Sequence, residues 1–126
     1  YGRSRGLGDV YKRQTYHGTL HFGGEWPGNK FKGGKFKLAT GTFADDFHIF
    51  SLNWKKGMIT WAIDGEVWQT EEKWFSEKSK FPAPFDQRFH LLINLAVGGQ
   101  WPGNPDASTQ FPASMLVDYV RVYQGG

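Results

Sequence analysis

The stretch from Asp46 to Thr70 constrains the fold more than any other part of the chain. It reads DFHIFSLNWKKGMITWAIDGEVWQT, three short runs cut by two turn signals. Lys55-Lys56-Gly57 is a hairpin loop whose glycine can take the left-handed conformation, and Asp64-Gly65 is the strongest two-residue hairpin signal. Runs joined this tightly can pair only as antiparallel neighbours, so residues 46–70 predict a three-stranded meander. A meander needs a second layer over its apolar face, and the flanking sequence supplies more strands. In YHGTLHF, Tyr16 to Phe22, alternation sets His17, Thr19 and His21 on one face and Leu20 and Phe22 on the other. RFHLLINLAV, Arg88 to Val97, reads as a buried, nearly central strand, and MLVDYVRVY, Met115 to Tyr123, as the last one. Only EEKWFSEKS, Glu71 to Ser79, has room for a helical turn or two. The expected class is all-β, most economically a two-sheet sandwich.

Composition narrows what such a sandwich does. The 126 residues fit one compact domain or a piece of a larger one. Aromatics are 17% of the residues against 21% charged, enough apolar mass for a packed core. No apolar run has membrane-spanning length, and the N-terminus lacks the blocks of a signal peptide, so export is not read from this segment. There is no cysteine, hence neither a disulfide framework nor a thiolate metal site. The net charge of +3 would invite a nucleic-acid reading, but Arg3, Arg5, Lys12 and Arg13 against Asp9 account for all of it. Residues 15–126 are formally neutral, which argues against a phosphate-binding surface. Residues 1–14 also lack any strand or helix periodicity. They read equally as a non-native scar or as a flexible N-terminal arm.

One turn is made twice. GGEWPGN, Gly23 to Asn29, returns as GGQWPGN, Gly98 to Asn104, about 75 residues later, too far for a nearest-neighbour repeat. The glycines and Pro-Gly steps are turn chemistry, so Trp26 and Trp101 belong to surface loops. A pyranose ring has an apolar C–H face and a rim of hydroxyls, and suits a flat indole with amide or imidazole groups at its edge. The same indoles serve equally to cap the ends of a sandwich. Trp54, Trp61, Trp68 and Trp74 lie in or beside strand patterns, where packing or cross-strand pairing is the expected role.

Taken in order, YHGTLHFGGEWPGN, DDFHIFSLNWKKGMITWAIDGEVWQT, PFDQRFHLLINLAVGGQWPGNPD and FPASMLVDYVRVYQ resemble the C-terminal half of family 16 glycoside hydrolases, in the laminarinase-like endo-β-1,3-glucanase branch. The resemblance covers nearly all of residues 15–126, leaving 1–14 as an unmatched leader. It implies a concanavalin-like β-jelly roll, incomplete here, whose concave sheet grips β-1,3-glucan or mixed-linkage β-glucan and cleaves it internally with retention. Such a parent would act outside the cell or in the periplasm. Cleavage requires a Glu-x-Asp-x-x-Glu strand just before YHGTLHF, with nucleophile and acid/base carboxyls about 5–5.5 Å apart. No glutamate precedes Glu25, so the resemblance implies a fragment without its catalytic strand. Asp64 with Glu66, Asp45 with Asp46, and Glu71 with Glu72 read as turn or cap charges, not as substitutes.

The resemblance carries selected roles onto matching positions. His21 matches a histidine that projects into the cleft beside the acid/base glutamate; a groove-edge imidazole bonded to backbone is the plainer reading. Trp26 and Trp101 match loops bordering the cleft. Asn94 and Gln100 are candidate partners for sugar hydroxyls, although an amide in a buried strand serves equally as a satisfied core group. Asp118 matches an aspartate that in many members helps hold a structural calcium with backbone carbonyls. No cofactor is expected for catalysis. Zinc is not expected, since the sequence supplies no third ligand beside His17 and His21. Two functions follow: an inert piece of a retaining endo-β-1,3-glucanase, or a jelly-roll module that binds β-glucan without hydrolysing it. Either way, a half jelly roll exposes strand edges and is expected to self-associate.

Overall fold

A computed structural model describes residues 14–100, 103–107 and 109–125. The described residues hold five strands and no helix: β1 (Thr15–Gly23), β2 (Asn29–Lys37), β3 (Phe50–Lys55), β4 (Met58–Ile63) and β5 (Glu66–Glu71). β1 and β2 form one antiparallel hairpin, and β3-β4-β5 form an antiparallel three-stranded sheet. The meander is therefore present, with both turns where the sequence puts them. Lys55 pairs with Met58, leaving Lys56-Gly57 as a two-residue loop, and Gly57 has φ +77°. At the second turn Asp64 has φ 50° and Gly65 φ +85°, the left-handed pair that an Asp-Gly hairpin requires.

Residues 46–49 stay outside the ladder, yet the second turn pins them. The Ile49 N–H donates to Asp64 Oδ1 at 2.8 Å, the Asp64 N–H donates to the Ile49 carbonyl at 2.8 Å, and Asp64 Oδ2 lies 2.7 Å from His48 Nδ1. The backbone bond from Ile49, followed by the contact with His48, holds the Asp64 carboxyl below its ordinary pKa.

The hairpin packs its inner face on the meander. Along β1 exposure alternates, with Gly18 and Leu20 buried and His17, Thr19 and His21 outward, as the period of two predicts. Leu20 joins Ile59, Trp61 and Trp74 in the core, flanked by Tyr16, Phe22, Trp68 and Phe85. Gly18 is required by this contact, because a Cβ there would lie 2.8 Å from Trp61 Nε1 and 3.0 Å from Gln69 Oε1. A β-bulge re-aims a second indole. Trp61 pairs with Gln69 but Ala62 pairs with Val67, so Trp68 is the extra residue of β5. It meets Tyr16 edge-on at 5.6 Å and Phe36 at 6.0 Å, between ring centroids. Burial beneath these rings raises the Tyr16 phenol pKa.

Trp74 is buried and donates from Nε1 to the Pro82 carbonyl at 2.8 Å; Trp54 donates to the Phe85 carbonyl at 2.7 Å. Trp61, Trp68 and Trp74 thus pack, as expected, while Trp54 stays 43% exposed. Residues 71–79 form no helical turn. Instead Ser76 makes an isolated parallel bridge to Gly23, with the Gly23 N–H donating to the Phe75 carbonyl at 3.1 Å.

The C-terminal apolar runs differ from expectation. Residues 88–97 and 115–123 form no strand, and Leu92 is 80% and Val122 87% exposed. Apolar side chains express a preference for burial, but a strand also needs a hydrogen-bonding neighbour, and none of the described residues pairs with these runs. β2 is the converse. NKFKGGKFK lacks clean alternation, yet the hairpin register forces it into a ladder of nine pairs from Thr15↔Lys37 to Gly23↔Asn29. Its lysines suit a strand with an unpaired outer edge.

Candidate functional site

The outer face of the β1–β2 hairpin gathers the polar and aromatic side chains left over from packing. Pairing sets His21 opposite Phe31, Thr19 opposite Gly33, and His17 opposite Lys35. The His21 and Phe31 rings lie 6.2 Å apart at 40°. Like-facing pairs follow one another at about 7 Å along a strand, so this face runs from an aromatic pair to a small pair to a basic pair. The middle step is flat. A Cβ on Gly33 would collide with the Gly18 carbonyl oxygen and Thr19 Oγ1, so only glycine fits there.

Trp26 stands at the tip of the same hairpin and is 84% exposed. Its turn is built by Gly23, at φ +94°, and closed by the Gly28 N–H donating to the Glu25 carbonyl at 2.7 Å. The Glu77 N–H donates to the Gly23 carbonyl at 3.2 Å, which ties the base of the turn to the following layer. The indole is thus held outward instead of capping the sandwich. The second copy of the turn closes differently. Gly98 has φ +78°, and the Gly103 N–H donates to the Gly99 carbonyl at 3.0 Å, one residue further back than in the first copy. Trp101 itself lies outside the described residues.

His21 and Trp26 therefore share one hairpin. Asn94 and Gln100 are exposed on the segment that follows Phe85, which meets the meander through Trp54 and Phe89, 5.5 Å between ring centroids. Among the described residues no hydrogen bond or ring contact joins Asn94 or Gln100 to His21 or Trp26. Asn94 is not the buried amide that a central strand would make it. Asp118 is exposed in an extended run, and no three His, Cys, Asp or Glu side chains gather into a metal-holding group among the described residues.

Three of the carboxylates weighed above have structural partners. Asp45 accepts from the Thr42 N–H at 2.9 Å, Asp64 pins residues 48 and 49, and Glu71 lies 3.3 Å from Lys32 Nζ. None forms a pair poised over the outer face. Phe31 is the residue that sequence reasoning missed. Phe31 and Phe36 are five apart, so a strand turns them to opposite faces, and only the register with β1 decides which one faces out. Counting parity back from the hairpin tip would have found it.

The match to known proteins agrees with this geometry. The model of glycosyl hydrolases family 16 matches residues 7–121. The chain belongs to that family. A glucan endo-1,3-beta-glucosidase of Niallia circulans is 46% identical over 85% of this chain and 17% of its own length. A beta-glucanase of Rhodothermus marinus is 36% identical over 74% of this chain and 33% of its own. A beta-1,3-glucan-binding protein of Penaeus monodon is 35% identical over 90% of this chain and 36% of its own. The family 16 chain thus spans about a third or less of the first two of these relatives. Its all-β hairpin and meander are part of the family's jelly roll.

Proposed function

We propose that this family 16 chain is the glucan-holding part of an endo-β-1,3-glucanase-type domain, and that as given it binds the polysaccharide without cleaving it. The observation that carries the reading is the outer face of β1–β2. It presents His21 beside an exposed ring, with Trp26 held outward at the tip of the same hairpin. A sugar needs an aromatic platform and a donor at its rim, and this face supplies both from one rigid element. Relatives named as β-1,3-glucan hydrolases and as a β-1,3-glucan-binding protein support β-glucan as the ligand. Hydrolysis is a different matter. Retaining chemistry needs two carboxyls about 5–5.5 Å apart, and the string Glu-x-Asp-x-x-Glu occurs nowhere in residues 1–126.

The parent domain is read as acting on β-glucan outside the cytoplasm. The isolated chain, with Leu92, Val122 and their neighbours exposed, is expected to self-associate. Affinity electrophoresis in laminarin gels, run beside a reducing-sugar assay, tests the function. The full chain should be retarded by laminarin, His21→Ala and Trp26→Ala should each reduce the retardation, and no reducing ends should appear. Mobility unaffected by laminarin would end the binding reading, and released reducing ends would end the non-cleaving one.

A further inference from the structure

The outer face of the hairpin contains an aromatic side chain whose exposure calls for an explanation. Phe31 is 73% exposed, although its strand pairs with β1 along its whole length and its neighbours along β2 are Lys30 and Lys32. The exposed apolar residues of 88–97 and 115–123 lie in runs without a ladder; Phe31, like Leu52 and Val67, is exposed within one, and it is the most exposed of the three. It sits instead directly across from His21, with the flat Thr19–Gly33 step beside it. An edge strand guarded by Lys30, Lys35 and Lys37 would be better protected by another polar residue at this position.

We propose that Phe31 is a sugar-stacking residue of the glucan-holding face, taking one pyranose ring of a β-1,3-glucan while His21 donates to a hydroxyl on the rim of that ring. This rests on the reading of the outer face as the glucan-holding one. Three features place the ring there. The aromatic ring offers a flat apolar surface to the C–H face of the sugar. Its tilt of 40° to the imidazole opens a corner, one wall apolar and the other a hydrogen-bonding group. Gly33, where a Cβ would strike the Gly18 carbonyl oxygen and Thr19 Oγ1, keeps the next step of the sheet low, so the adjoining sugar meets only the small Thr19 side chain there. Trp26 at the tip then serves a separate sugar further along the chain. The plainer role for Phe31 is a cross-strand contact that only steadies the hairpin, and the test must separate the two.

The experiment measures laminarin affinity by gel retardation for the full chain and for Phe31→Ala, Phe31→Leu and Phe31→Tyr, with thermal unfolding of each followed in parallel. Stacking predicts that Phe31→Ala and Phe31→Leu both weaken binding about two- to tenfold while Phe31→Tyr keeps it, with melting temperatures close to that of the parent. Leucine preserves apolar cross-strand contact but has no flat face. Phe31→Leu binding as tightly as the parent would therefore overturn the proposal, as would a loss of affinity that follows melting temperature across the set. If all three variants bind like the parent while His21→Ala and Trp26→Ala do not, the face still holds glucan and only the role of Phe31 falls. An unretarded parent chain overturns both.

Discussion

Residues 15–85 and residues 86–125 carry similar apolar side chains, yet among the described residues the buried apolar core comes from the first region alone. Ile59 in β4 is 3% exposed and Ile93 is 53%; Leu20 in β1 is 6% and Leu92 is 80%. Hydrophobicity does not separate these pairs. What separates them is closure: β1 and β4 have both a ladder partner within reach of a short turn and a facing layer, whereas β3, although paired with β4, stays exposed along its whole length. The later runs have the apolar content of strands without either condition. For a strand, pairing is here a condition of burial and not a guarantee of it, because a strand cannot bury its apolar side chains while its backbone N–H and C=O groups lack partners.

The sharpest way to break the comparison is at the contact between the two layers of the first region. Gly18→Ala puts a Cβ 2.8 Å from Trp61 Nε1 and should destabilise the chain by about 1–3 kcal/mol in urea unfolding. A neutral result would mean that hairpin and meander do not pack this closely in solution.

A smaller effect is expected at the second turn. Asp64→Ala removes the acceptor for the Ile49 N–H and places alanine at φ 50°, so a loss of about 1–2 kcal/mol is expected. Asp64→Asn keeps an acceptor and tolerates that backbone, and should lose less. The folded pKa of Asp64 is depressed, so its contribution is fully present above the ordinary value of 3.8 and is lost as pH falls through the lower folded value. Unfolding measured from neutral to acid pH should show this limb in the parent and not in Asp64→Asn. A limb that persists in Asp64→Asn would assign it to another carboxylate.

The smallest effects belong to the second region. Leu92→Ala and Val122→Ala should each change stability by no more than about 0.5 kcal/mol, as exposed substitutions do. A cost several times larger, rising with protein concentration, would show that these runs are covered by a second copy of the chain.

The meander was legible in sequence because its determinants are local. Lys56-Gly57 and Asp64-Gly65 set two reversals, and the residues between them have no other antiparallel partner so close. The outward placement of His21 was legible for the same reason, since period-two alternation needs only a strand to act on. The pairing of β2, the bulge at Trp68 and the outward turn of Phe31 were not. Each depends on register, and register is set by what lies across the sheet. The two Gly-Gly-x-Trp-Pro-Gly-Asn turns make the same point, closing on Glu25 in one case and on Gly99 in the other.

The sequence by itself determined the β class, the two tight reversals and the face of β1 that carries His21, because turn propensity and strand alternation act within a few residues. Tertiary structure decided which apolar runs are buried and which aromatic rings face outward. Those outcomes depend on hydrogen-bonding neighbours and facing layers, which no local stretch of sequence specifies.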